Sequence, residues 1–232
     1  MIRFKQLEDL GLSVAAMTAH ADGDCCEPGP GTPRAACLQA LGLAPDALTC
    51  GRQVHGTSIG VVTEAERGRG ALSWDAAFPA TDGLLTDVPG LPLAVFVADC
   101  VPLFLYAPDA RVAGLVHAGR EGTRASIATA AITTLCYAFA VSPREVHALI
   151  GPSAGPERYE VSESLAAEWE QAGLPRRERK LDLWQANRIQ LEAAGVPGRQ
   201  IFCAGMCTIG DERFFSFRRG DETARNMALV MI

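Results

Sequence analysis

The stretch LPLAVFVADCVPLFLYAPDARVAGLVHAG, residues 91–119, decides the fold. Three runs in it, Leu93 to Ala98, Leu103 to Tyr106 and Val112 to His117, are rich in β-branched and aromatic residues. They are too short for stable helices, so they read as buried strands separated by polar breaks. The last run leads through AGREGTR at 118–124 into TRASIATAAITTLCYAFA, where Thr123 is expected to cap a helix reaching about Phe139. Strand pairs followed by a helical crossover define a mixed α/β chain.

The same reading extends outward in both directions. Further strands are predicted at Leu12 to Thr18, Leu48 to Gln53, Ser58 to Thr63, Leu84 to Thr86, Val146 to Ile150, Ile201 to Cys203, Phe214 to Arg218 and Met227 to Ile232. Helices are predicted from Arg34 to Leu41, from a cap at Ser162 through Trp169, and over LWQANRIQLEAA behind a capping box of Asp182 and Gln185, ended by Gly195 and Pro197. Loops fall at 65–80 and 152–158, but neither has linker composition, and there is no repeat. The expected architecture is layered mixed β-sheets flanked by helices, one domain over residues 1–232.

At 232 residues and 48% hydrophobic, the chain can bury a full core. Its net charge of −6 argues against nucleic acid as a partner, because that affinity rests on neutralising phosphates. The N-terminus MIRFKQLEDLGL lacks a signal-peptide apolar core, and the apolar run at 91–98 is too short to span a bilayer. These features predict a soluble cytoplasmic protein with no membrane partner. Its eight cysteines are scattered without the density of a disulfide scaffold and read as thiols, the adjacent Cys25 and Cys26 lying in a Gly/Pro/Asp-rich loop.

Chemistry concentrates in three short strings. QVHG at 53–56, ADC at 98–100 and VHAG at 116–119 place His55, Cys100 and His117 beside β-like runs, in a chain with only four histidines. A lone histidine or cysteine beside apolar residues usually packs as core. Three at strand ends can converge, and imidazole with thiolate is a zinc-type donor set whose fourth position stays open for chemistry. Zinc is the expected metal, with copper ranked behind it. Cys100 is open to two roles, ligand or nucleophile, since a neighbouring cation or metal favours thiolate in either. Asp82 and Asp99 are candidates to orient histidine N–H groups, and Glu121 to transfer a proton. Anion contact is assigned to Arg120 in the glycine-bearing AGREGTR loop and to Arg218 and Arg219 of FFSFRR.

Taken in order, QVHG, TDGLLTD at 81–87, ADCVPLFL at 98–105, VHAG with its following EGT, GPSAGPERYEV at 151–161, LDLWQANRIQL at 181–191, CT at 207–208 and RFFSFRRGDETAR at 213–225 resemble the YfiH-like family. That family is also called the multicopper polyphenol oxidase (laccase) domain or purine nucleoside phosphorylase family. The resemblance covers roughly residues 50–232. It implies a mixed α/β fold, zinc at His55, Cys100 and His117, and phosphorolysis of purine nucleosides such as adenosine, inosine and methylthioadenosine, with adenosine deamination as a companion reaction. Purine nucleoside and phosphate are then the expected partners.

The chain departs from the family pattern at identifiable points. Arg120 and Glu121 follow HAG where the family carries Trp and Arg, Ser153 stands where the family has a cysteine after Gly-Pro, and the opening is reduced to Thr18, Ala19 and His20. Rival readings from other classes are an amidohydrolase of a cell-wall precursor and a non-catalytic metal-binding protein. A multicopper oxidase ranks last, because its copper sites need more histidines than four.

Overall fold

Val101–Ala107 and Val112–Ala118 pair antiparallel along their whole length, while Leu93–Val97 pairs instead with Asn226–Met231. The ADC string therefore lies where the chain crosses from one sheet to another. The computed structural model describes residues 1–232. Its strands are β1 (Ile2–Arg3), β2 (Val14–Met17), β3 (Thr49–Cys50), β4 (Ile59–Val61), β5 (Gly83–Thr86), β6 (Leu93–Val97), β7 (Val101–Ala107), β8 (Val112–Ala118), β9 (His147–Ile150), β10 (Arg176–Arg177), β11 (Lys180–Leu181), β12 (Ile201–Cys203) and β13 (Asn226–Met231). Its helices are α1 (Lys5–Glu8), α2 (Pro33–Ala40), α3 (Arg120–Arg124), α4 (Ile127–Phe139), α5 (Glu163–Gln171) and α6 (Leu183–Ala193).

Two mixed sheets carry the fold, in the orders β1-β2-β13-β6-β3 and β12-β9-β7-β8-β5-β4, with β10 and β11 as a small separate hairpin. Side-chain alternation along β7 explains the layering. Phe104 and Tyr106 point between the sheets with Val95, Leu115 and Val230, whereas Leu103 and Leu105 point to the other face, against Ile132 and Leu135 of α4 and Leu191 of α6. On the outer face of the first sheet, Ala94, Phe96 and Leu229 meet Leu38 of α2. Both faces of each sheet are thus covered, which is why these strands read as continuous apolar runs. The result is the expected mixed α/β domain.

Two local expectations are corrected. Thr123 does not cap a helix: α3 starts directly after Gly119 and contains Thr123, and the chain breaks at Ser126, φ +66°, before α4. Buried Thr123 is instead gripped by α6, its Oγ1 accepting from Asn187 Nδ2 at 3.2 Å and its carbonyl from Gln190 Nε2 at 2.6 Å. Nor is Phe214 to Arg218 a strand. Phe214, Phe215 and Ser216 are all buried instead of alternating in and out, and Phe215 pairs with a side chain, its N–H donating to Asn226 Oδ1 at 3.0 Å and its carbonyl accepting from Nδ2 at 2.9 Å. Ser216 then accepts from Arg219 N at 3.2 Å and starts a single 3₁₀ turn, Phe217–Arg219. The Ser162 and Asp182 caps form, accepting from Leu165 N and Gln185 N, but the box expected with Gln185 does not close, because Asp182 N donates to Pro175 O at 3.1 Å.

Candidate active site

The QVHG turn is built by two polar side chains. Gln53 replaces a strand partner for β6, donating from Nε2 to Phe96 O at 2.8 Å and accepting from Phe96 N at 2.7 Å. Asp82, 1% exposed, takes the next three main-chain donors: Val54 N at 3.2 Å, His55 N at 2.9 Å and Gly56 N at 2.8 Å. That cradle stabilises His55 in the left-handed region, φ +60°, a conformation otherwise unfavourable for a residue with a Cβ.

Asp82 also engages His117, at the end of β8, with Nδ1 and Oδ1 2.9 Å apart. The carboxylate fixes the ring's orientation and leaves Nε2 as the ligand atom. Cys100 enters from the crossover between the sheets. The ligand atoms of His55, Cys100 and His117 lie within 4.8 Å of one another, and the two imidazoles meet edge to face at a centroid separation of 4.7 Å.

The donor set fits zinc on chemical and steric grounds. Metal–ligand lengths of ~2.0–2.3 Å in tetrahedral geometry need donors about 3.3–3.6 Å apart, and these three lie within 4.8 Å of one another. Gly119 keeps the space between them open: a Cβ there would stand 2.9 Å from His55 Cδ2, 3.1 Å from Cys100 Sγ and 3.6 Å from His117 Cε1. Its own φ of −73° suits any residue, so space rather than conformation requires the glycine.

Electrostatics favour the charged forms of two of these residues. Burial pushes the Cys100 thiol up, but the charge and hydrogen bond of His117 and the hydrogen bond of His55 outweigh it and bring the pKa to about 6. Burial pushes His117 down, while Cys100 and Asp82 raise it to about 9. Asp82 is likewise opposed by burial and held below the usual carboxylate range by His117 and the main-chain donors.

These groups open on a cavity of about 700 Å³. Arg120, Glu121, Arg218 and Asp99, four of the candidates from the sequence, line it. Glu121 binds Arg124 Nη2 at 2.9 Å and Arg120 Nε at 2.8 Å, and these partners hold its carboxyl below its ordinary range, with Arg124 contributing most. Arg218 is fixed by Nη1 donating to Glu160 O at 2.7 Å and by its guanidinium lying 4.8 Å from the Tyr159 ring centre.

Two expected residues sit differently. Arg219 is not brought to the cavity: its guanidinium donates to Thr208 O at 3.0 Å, Asp211 O at 3.2 Å and Phe214 O, and pairs with Asp221 at 3.2 Å, so it stitches the C-terminal loop together. Asp99 touches neither histidine. Its carboxylate accepts from Thr208 Oγ1 at 2.6 Å and Arg218 N at 2.8 Å.

Sequence reasoning missed the far wall, formed by Arg52, Trp74, Phe96, Arg225 and Cys26. The buried guanidinium of Arg34 lies against both Trp74 and Phe96, 4.7 and 4.2 Å from the two ring centres, and the rings themselves meet edge to face at 5.2 Å. Arg34 also donates to Cys25 O at 2.9 Å and to Cys26 O, which holds the Cys25–Cys26 loop against the cavity. No spacing in the chain links residues 26, 34, 74 and 225; Phe96 and Arg225 lie inside quoted strings and Cys26 in a noted loop, but nothing in those strings marked them as cavity residues. Ser153, at the departure from the family cysteine, is buried and accepts from Trp184 Nε1 at 2.7 Å.

A mixed two-sheet α/β domain with a His–Cys–His group that could hold a metal, beside arginines, defines one recognisable class of protein. The chain belongs to the multi-copper polyphenol oxidoreductase laccase family, whose model matches residues 32–232. It is 40% identical over 189 residues to the purine nucleoside phosphorylase YlmD of Geobacillus stearothermophilus, covering 77% of this chain and 69% of that protein. A purine nucleoside phosphorylase of Corynebacterium glutamicum is 37% identical over 199 residues, 83% of this chain and 77% of the relative. The crystal structure of YlmD from Geobacillus stearothermophilus superposes with a TM-score of 0.85 at 33% identity, over 94% of this chain and 91% of that one. No helix is long and apolar enough to cross a membrane.

Proposed function

We propose that this protein is a zinc-dependent purine nucleoside phosphorylase of the cytoplasm, acting on adenosine, inosine or methylthioadenosine. The observation that carries the reading is a single cavity of about 700 Å³ containing both the His55, Cys100 and His117 donor set and two arginines, Arg120 and Arg218. The size suits a nucleoside with phosphate, and the relatives' names support the reaction class.

In the reaction, a phosphate oxygen attacks ribose C1′, the glycosidic bond breaks, and the base leaves with a proton. His55, Cys100 and His117 would hold zinc, which would supply Lewis acidity toward the substrate. The protein's part is to bind, orient and desolvate. Arg120 spends only Nε on Glu121, and its terminal nitrogens make no hydrogen bond to the protein; with Arg218 it forms the anion-binding side. Tyr159, Leu183 and Phe217 exclude water from the same space. Glu121, paired with both arginines of α3, acts as a charge partner that tempers phosphate affinity.

The oxidase suggested by the family's description does not fit the donor supply. His20 stacks on Phe215 and His147 sits on β9, so two of the four histidines are elsewhere. The purified protein incubated with each nucleoside, with and without phosphate, tests the proposal: free purine released only with phosphate supports it. Inosine from adenosine in either case makes the protein a deaminase, and no turnover of any nucleoside favours an amidohydrolase or a non-catalytic metal binder.

A further inference from the structure

We propose that Asp99 is a positioning residue that sets the Arg218 turn against the Cys100 loop, and so places the cavity's anion-binding arm. Asp99 has φ +80°, a left-handed conformation that a side chain disfavours, and it is 6% exposed. Its surroundings account for both facts. Its carbonyl accepts from Ala154 N at 2.9 Å, its Oδ1 from buried Thr208 Oγ1 at 2.6 Å, and its Oδ2 from Arg218 N at 2.8 Å. Three segments distant in sequence, 151–154, 207–208 and 216–219, are thereby tied to the residue before Cys100.

The contact to Arg218 N is the informative one. Phe217 and Arg218 line the cavity from a single 3₁₀ turn, and the N–H of Arg218 at that turn finds its acceptor in Asp99. The carboxylate presents an acceptor to each of these two donors. An asparagine could turn its oxygen to the Arg218 N–H and donate its amide to the Thr208 hydroxyl, which also accepts, so the contact is broken only by removing the side chain. His55 and His117 are braced separately by Asp82, so the placement of these two histidines does not depend on Asp99. The role of the turn in binding anions rests on the phosphorylase reading; the placement of the turn by Asp99 does not.

The test uses Asp99→Gly in the full chain, which removes the carboxylate at a φ of +80° that glycine adopts freely, with Thr208→Val and its conservative partner Thr208→Ser as a second pair. Amide hydrogen exchange across 216–219 is expected to accelerate about tenfold or more in Asp99→Gly and Thr208→Val, but not in Thr208→Ser, while exchange across 54–56 stays at the wild-type level. With inorganic phosphate as the probe, affinity is expected to fall about tenfold in Asp99→Gly, and Arg218→Ala is expected to add little to that loss in the double variant. Unchanged exchange across 216–219 overturns the proposal, as does full additivity of the two substitutions. If exchange responds as expected but wild-type protein binds no phosphate, the positioning role stands and the phosphorylase reading fails. Should Asp99→Gly not fold, the Thr208 pair decides alone.

Discussion

His117 and His55 are coupled through one carboxylate: Asp82 Oδ1 lies 2.9 Å from His117 Nδ1 and accepts from His55 N at 2.9 Å. A ligand from β8 and a ligand from the QVHG turn thus share a brace that is itself buried. Replacing Asp82 with Asn keeps the shape but leaves the three main-chain donors at 54–56 facing an amide. Zinc affinity is expected to fall ~10–100-fold, measured by competition with a chromogenic chelator. Asp82→Ala should also destabilise the fold by about 3 kcal/mol, read from denaturant midpoints, because buried donors lose their acceptor.

Metal content distinguishes a donor set from a packed cluster. The wild-type protein is expected to carry about one zinc per chain by elemental analysis, and Cys100→Ala markedly less. Gly119→Ala is the sharper variant. Its backbone conformation is permitted, so the fold should survive with a loss of about 1–3 kcal/mol, while the new methyl, 2.9 Å from His55 Cδ2 and 3.1 Å from Cys100 Sγ, closes the metal's space. Full zinc occupancy in Gly119→Ala would place the metal elsewhere.

The pair of Cys100 and His117 predicts a distinctive pH profile in metal-free protein. Cys100 has its folded pKa depressed to about 6, so its stabilising contribution is complete above the unfolded thiol value and is lost as pH falls through about 6. His117 has its pKa raised to about 9, so its contribution is complete below the unfolded imidazole value and is lost as pH rises through about 9. The thiolate–imidazolium pair therefore spans roughly pH 6–9. Alkylation of Cys100 in chelator-treated protein should rise with an inflection near 6, not near the ~8.5 of a free thiol. In His117→Ala, with burial less opposed, the inflection should move well upward.

Glu121 offers a test of the anion side. Its carboxylate occupies Arg120 and Arg124, so Glu121→Gln should free Arg120 for phosphate and lower the phosphate KM about threefold, the modest size reflecting a partly exposed pair. A collapse of kcat at unchanged phosphate KM would instead make Glu121 a proton-transfer group.

The strands at 93–118 and the convergence of His55, Cys100 and His117 were legible because each has a local signature: apolar runs of strand length, and histidine or cysteine in short strings beside them. What escaped was decided by side chains standing in for backbone. FFSFRR alternates like a strand, yet Asn226 and Ser216 supply its hydrogen bonds and turn it. Thr123 looks like a helix cap and is a buried handle for Asn187 and Gln190. Arg218 and Arg219 are equivalent in sequence, but the carbonyls of Thr208, Asp211 and Phe214 claim Arg219, leaving Arg218 at the cavity. The far wall with Trp74, Phe96 and Arg225 arises from tertiary folding alone.

The most direct test of the central claim is phosphorus NMR of purified zinc-loaded protein incubated with inosine and inorganic phosphate, alongside Cys100→Ala and Gly119→Ala. The account predicts ribose 1-phosphate in the same amount as released hypoxanthine, with both products lost in the two variants. Hypoxanthine released without phosphate, or undiminished turnover in variants that hold no metal, would contradict it.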